Sequence, residues 1–183
     1  MPLKSLGLLL LLVSVISCSG TRREQVSFLE FASSIPELPF PVKFGCDSGP
    51  EQVDYGRLDS HWLAQLAPTG RNYIVGRIRS NQDCVILAHR YIGDFNFPVL
   101  ISYNSDGSII DSLRITGDCF DAPDGSLLRY ATLINADGSI VVEDTTRSSL
   151  SNATGTVIPS TERVSVKVHR FSISATGHFQ IVQ

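Results

Sequence analysis

The sequence predicts a mainly β protein: an antiparallel meander of about eight strands, arranged as a sandwich, an open sheet or a small barrel, behind one or two short N-terminal helices. Three observations predict it. From residue 73 onward, short segments rich in Ile, Val, Leu and Tyr follow one another, with a visible but imperfect alternation of apolar and polar residues. Three joints share one chemistry: Tyr-Asn-Ser-Asp106-Gly107-Ser-Ile, Ile-Asn-Ala-Asp137-Gly138-Ser-Ile and Ile-Ser-Ala-Thr176-Gly177-His-Phe. Glycine accepts the left-handed backbone that closes such hairpins, so positive φ is expected at Gly107 and Gly138. The third observation is spacing. The turns at 106, 137 and 176 are unevenly separated, which reads as successive hairpins and not as a solenoid or propeller repeat.

In chain order, residues 26–35 come first, placing Phe28, Phe31 and Ile35 at near-helical spacing and predicting a short helix. Pro36, Pro39 and Pro41 end it, because each removes a backbone donor and pushes its predecessor to extended geometry. A second short helix is expected over 59–66, capped by Asp59 or Ser60 and stopped by Pro68 and Gly70. Strands are then expected at 73–79, 84–91, 98–104, 108–115, 128–134, 139–145, 163–173 and 178–182. Val99, Ile101 and Tyr103 share one strand face. Val164, Val166 and Val168 share another, opposite Arg163, Ser165, Lys167 and His169. The change to Phe171 and Ile173 is a one-residue phase slip that predicts a bulge. Residues 146–162 are small and polar and read as a long loop, mobile or functional.

The N-terminus reads differently. Met1 to Lys4 form a short basic region, followed by an uncharged apolar stretch over residues 6–17. That stretch is too short for a transmembrane helix, which needs about 20 apolar residues. It ends in Val15-Ile16-Ser17-Cys18, which resembles the lipobox of bacterial lipoprotein precursors. The resemblance implies a signal peptide over residues 1–17, lipid on Cys18, a lipidated tether over 18–25 and a single β-rich domain over 26–183. Several acyl chains on one cysteine hold a membrane well, since each buried CH₂ adds roughly 0.8 kcal/mol. By resemblance to enterobacterial lipoprotein sorting, Ser19 after the cysteine implies the outer membrane, and Ser-Gly-Thr-Arg-Arg-Glu lacks the acidic run of surface-displayed lipoproteins, which implies its periplasmic face.

Composition narrows the function classes. The leader inflates the hydrophobic content of 43% and the mean hydropathy of +0.11. Without residues 1–17, which carry one lysine, the formal charge moves from −3 to −4. A mildly acidic chain has no electrostatic footprint for nucleic acid. Beyond Cys18 three cysteines remain, Cys46, Cys84 and Cys119, so one intramolecular disulfide at most is expected and at least one thiol stays reduced. The sequence alone does not choose the pair, although Cys84 opens an apolar run and suits a small buried hydrophobe.

No constellation reads as catalytic, cofactor-binding or metal-binding. The Asp-Gly-Ser turns offer one or two carboxylates each, too few for a calcium loop. Asp118, Asp121 and Asp124 form the densest acidic group and are the one place to look for a cation. His61, His89, His169 and His178 show no metal spacing, though His169 and His178 are positioned to meet across the last hairpin. Trp62, with His61, Leu63 and Leu66, reads either as an exposed aromatic platform for glycan or peptide, or as part of a helix packed on the sheet. Asn152-Ala-Thr154 matches the eukaryotic glycosylation sequon, a chance match in a bacterial chain.

Lipobox, Phe-rich helix, Leu38-Pro39-Phe40-Pro41 and late Asp-Gly hairpins together resemble small uncharacterised lipoproteins of Bacteroides-type bacteria. The resemblance implies an address and no defined activity. It also implies O-glycosylation at Asp-Ser/Thr sites, which Asp111-Ser112-Leu113 and Asp144-Thr145-Thr146 match. The expected function is therefore a non-catalytic, membrane-anchored envelope lipoprotein, binding a protein or glycan partner or supporting an envelope complex, without cofactor. The competing expectations are an envelope hydrolase using dispersed residues such as His61, His89 and Asp121, and a secreted-enzyme inhibitor.

Overall fold

Among the described residues two short α-helices precede the meanders, and each is fixed by its cap. Ser27 and Glu30 form a capping box ahead of α1 (Phe28–Ser34), each side chain accepting from the other's backbone N–H. Asp59 caps α2 (Ser60–Leu66) by accepting from the N–H groups of His61 and Trp62. The computed structural model describes residues 26–46, 48–67, 72–80, 83–92, 96–115, 119–121, 126–152, 154, 156 and 158–182. Residues 1–25, on which the expected signal peptide, the lipidation at Cys18 and the expected tether fall, lie outside them.

Among the described residues, ten strands follow the sequence expectation closely and add two to it. They are β1 (Val42–Gly45), β2 (Asn72–Ser80), β3 (Val85–Ile92), β4 (Asn96–Tyr103), β5 (Ile109–Arg114), β6 (Phe120–Asp121), β7 (Leu127–Ile134), β8 (Ser139–Ser148), β9 (Arg163–Ile173) and β10 (Phe179–Val182). β2 to β5 form a four-stranded meander. β7 to β10 form a second one, with β1 and β6 both paired to the other edge of β7, making six strands. All these pairings are antiparallel. Both sheets are open, so of the expected alternatives the small barrel is excluded.

Alternation along each strand decides what each face does. Val75, Ile78, Ile86, Ala88 and Leu100 of the four-stranded sheet meet Val42, Phe44, Ile134, Ile140 and Val142 of the six-stranded sheet in one core. The opposite face of the four-stranded sheet presents Ile74, Val85, Leu87 and Tyr103 to Phe28, Phe31, Ile35, Trp62 and Leu66 of the helical segments. The order is thus helices, four-stranded sheet, six-stranded sheet. The outer face of the last layer is left without a covering element among the described residues.

Local chemistry ties the layers together. The Leu38 N–H donates to Arg77 O and the Arg77 N–H to Pro36 O, each at 2.9 Å, so the proline-rich segment covers the edge of β2 before crossing to β1. At the opposite edge, the Phe179 N–H of β10 donates to Asp111 Oδ2 of β5 at 2.9 Å. Cys46 and Cys119 form a disulfide that joins the end of β1 to the start of β6, laying the two short strands end to end along β7.

The hairpin turns match their reading. φ is +86° at Gly107, +84° at Gly138 and +87° at Gly177. In the first two turns the aspartate accepts from the N–H and hydroxyl of the following serine, Ser108 or Ser139. A fourth copy lies where a plain loop is expected: Asn152 N–H donates to Thr156 O at 2.9 Å, and its side chain accepts from Thr154 and Thr156. Residues 146–162 therefore extend β8, turn on an asparagine and return through a 3₁₀ turn, Pro159–Thr161.

The bulge expected in β9 is absent. β8 and β9 pair without interruption from Ser139↔Ser172 to Ser148↔Arg163. The phase slip instead marks where β9 leaves the core. Phe171 and Ile173 point inward beneath the other sheet, whereas Val164, Val166 and Val168 stand on the outer face of an overhang. The register shifts fall in β2 and between β4 and β5.

Candidate functional site

The open outer face of the six-stranded sheet is the candidate site. Because Ile140 and Val142 point into the core, Val141, Glu143, Thr145 and Arg147 point outward. Register extends these into rows: Lys43, Leu133 and Val141 in one, Gly45, Ala131 and Glu143 in the next. Gly45, covered by the Ser48 side chain, pairs with Ala131, whose methyl gives the sheet little side-chain height there. The longer side chains of Lys43, Leu133, Arg129 and Glu143 surround this low point, leaving a depression of about 580 Å³. Its floor is apolar and its margin carries two cations and one carboxylate. Arg129 is held in place by an ion pair to Asp121 and by donation to Leu128 O at 2.9 Å.

The same face continues onto the overhang. Val164, Val166 and Val168 are 56%, 53% and 39% exposed, high for three valines in one row. The inner face of that overhang is polar: Arg163, Ser165, Lys167 and His169 line it, and His169 Nε2 lies 3.6 Å from Asp144 Oδ2. β9 in the overhang is therefore two-sided, with three valines outside and, inside, Arg163, Lys167 and His169 facing the single β8 carboxylate Asp144.

The residues singled out by sequence do not converge. His61 is exposed on α2, 2.9 Å from the Gln65 amide. His89 is fully buried under the helices, its Nε2 3.3 Å from the Tyr103 hydroxyl. Asp121 lies on the other sheet, paired to Arg129. This separation gives the dispersed-hydrolase expectation no assembled site. Of the acidic group around Cys119, Asp118 and Asp124 lie outside the described residues. Among the described residues, no group of three His, Cys, Asp or Glu side chains is placed to hold a metal ion. His169 and His178 face different carboxylates, Asp144 and Asp111. Trp62 is core: its indole N–H donates to Val26 O at 2.8 Å, and its ring packs edge-on to Phe28 at 5.1 Å. In the two Asp-Ser/Thr matches, Ser112 is exposed and Thr145 half-buried on the outer face.

Burial sets the chemistry of two internal groups. It pushes the His89 imidazole down to about 4. An unfolded histidine titrates near 6.5, so the unfolded chain binds the proton more readily. The resulting stability is complete above about pH 6.5 and falls as pH drops toward 4, by roughly 3 kcal/mol at about 1.4 kcal/mol per pKa unit. Urea denaturation at pH 7 and pH 4.5 is expected to show this slope, and His89→Leu to flatten it. An unchanged slope in that variant would remove His89 as the cause.

Cys84 is also buried, its Sγ 3.8 Å from Ala175 O, and burial pushes its thiol pKa up. With Cys46 and Cys119 bonded, and with Cys18 blocked by lipid as the sequence expectation has it, titration with a thiol reagent is expected to find no reactive thiol in native protein. After denaturation without reductant it should find one per chain. A count of zero after denaturation would contradict this pairing.

The sequence reading missed the depression because β1 has no strand signal of its own, and Gly45 and Ala131 become neighbours only through pairing. The valine row was visible. Comparison with protein-family models, curated proteins and solved structures returned no match to this chain.

Proposed function

We propose that this chain is an envelope lipoprotein, anchored through lipid on Cys18, whose β domain is a non-catalytic binding or structural accessory module. The observation that carries the reading is an asymmetry between layers. One sheet is sealed by helices on its far side, while the other leaves an outer face with an apolar depression and an exposed valine row. A domain that only needed to be soluble gains nothing from such a surface, since contiguous exposed apolar patches mark interaction sites. Its partner in this reading is an envelope protein or glycan, at the outer membrane and on its periplasmic side.

The anchor supplies the test. Cys18→Ala is expected to abolish incorporation of labelled palmitate and to release the protein from the membrane fraction. Retained labelling with unchanged detergent partitioning would sink the lipoprotein reading.

A further inference from the structure

Among the described residues, the overhang of β9 has a free edge. β8 pairs with β9 along Arg163–Ser172 on one side, but β10 reaches only Arg170–Ile173 on the other. The Ile173 N–H donates to Gly138 O on the β8 side, and the Ser174 N–H to His178 O on the β10 side. Backbone groups alternate in direction along a strand. The N–H and C=O groups of Val164, Val166 and Val168 therefore point away from β8, along the free edge, where no backbone partner occurs among the described residues. No proline or glycine interrupts the segment 163–169. A straight edge of this kind is a template for another strand.

Charge selects the strand. Residues opposite the three valines lie on the outer face; those opposite Arg163, Ser165, Lys167 and His169 lie on the inner face, where Arg163, Lys167 and His169 outnumber the one β8 carboxylate facing them, Asp144, opposite Lys167. A second copy of β9 fits poorly. Antiparallel pairing centred on Val166 sets Arg163 against His169 and brings the two Lys167 side chains diagonally together. Pairing Val164 with Val166 sets Arg163 against Lys167, and pairing Val166 with Val168 sets Lys167 against itself. Like charges placed opposite one another destabilise a sheet. Acidic residues at the same positions meet Arg163 and Lys167 in every one of these registers.

We propose that the Val164–Val168 edge of β9 captures an extended peptide strand in which acidic and β-branched residues alternate, adding a seventh strand to the sheet. This rests on the reading of the domain as a binding module. Membrane retention through Cys18 is measured separately, so failure here leaves the anchor untouched.

The probe is a fluorescent nine-residue peptide alternating valine and glutamate, titrated into the full lipidated chain in detergent, with a valine–lysine peptide as control. Saturable binding at least tenfold tighter for the glutamate peptide is expected. Val166→Pro removes the central edge donor while sparing the β8 pairing, and should weaken binding tenfold or more with an unchanged melting temperature. Lys167→Glu leaves the backbone alone and should shift preference toward the lysine peptide, so the proposal stays testable even where the proline variant folds badly. Absence of saturable binding, equal affinity for both peptides, or full affinity in a folded Val166→Pro would overturn it. So would a dimer, seen in sedimentation, that Val166→Pro dissolves, because the occupant would then be a second copy.

Discussion

Gly107→Val is expected to lower stability by about 3 kcal/mol, clearly more than Gly138→Val, although both glycines occupy the same turn position. The shared part is backbone. At φ near +85° each substitution pays the left-handed strain of roughly 1–2 kcal/mol. The difference is what a Cβ meets. At Gly107 it would sit 2.6 Å from Trp62 Cζ3 and 2.8 Å from Cη2. That indole is fixed by its bond to Val26 O and wedged between Phe28 and Phe31, so it cannot yield, and overpacking a core adds typically about 1–3 kcal/mol. At Gly138 the nearest atom is the Arg79 guanidinium at 3.0 Å, the far end of a flexible side chain. Urea denaturation of both variants checks the order. Equal losses would mean that the tryptophan contact is not what distinguishes them. Asp106→Asn and Asp137→Asn should be nearly silent, because the amide oxygen still accepts from the serine N–H and hydroxyl. If instead the asparagine variants lost a calcium-dependent rise in melting temperature, these turns would be ligand loops.

The contrast between these two glycines shows what a sequence carries and what it omits. Asp-Gly-Ser before an aliphatic residue specifies a turn locally, so its geometry was legible at both sites. That Trp62 lies beneath one of them depends on a helix 45 residues earlier packing on the sheet, which no local pattern encodes. The eight strands of the two meanders were legible because each is a short segment rich in Ile, Val, Leu and aromatic residues and most are joined by polar turns. β1 and β6 were not. Val42–Gly45 follows three prolines and Phe120–Asp121 is two residues long, so both exist only because β7 offers an edge and a disulfide holds them to it. The phase slip in β9 was a true signal given the wrong cause. Alternation records which face is wet, and in β9 the apolar face changes from inner to outer where the opposing sheet ends. That inversion made half of the candidate site readable as Val164, Val166 and Val168. The other half, the depression at Gly45 and Ala131, required the strand order.

Removing the Cys46–Cys119 bond should be the most costly single change in the domain. The bond closes a loop spanning 73 residues. In the chain-entropy treatment, releasing a loop of that length from the unfolded state costs the fold about 4 kcal/mol. The loop contains both the second helix and the whole four-stranded sheet, so its release frees the ends of most of the core at once. Locally the bond is also what splices β6 to β1. A two-residue strand has no independent stability, and the ion pair between Asp121 and Arg129 is half-exposed and weak by itself. Cys46→Ser, Cys119→Ser and the double variant are therefore expected to lose the same amount in urea denaturation, about 4 kcal/mol each, because all three remove one bond. Losses in the double variant equal to the sum of the single ones would show that each sulfur acts through separate packing. The depression should respond before the fold does. Its margin includes Cys46, and Arg129 in that margin depends on β6 for its partner Asp121. Under native conditions, hydrogen exchange in the double variant should thus be fastest at Phe120 and Gly45, which open locally, while Ile86 and Leu100 in the core lose protection only by the roughly 4 kcal/mol of global stability. Uniform loss of protection across both groups would place the disulfide's effect on the whole sandwich and not on the splice.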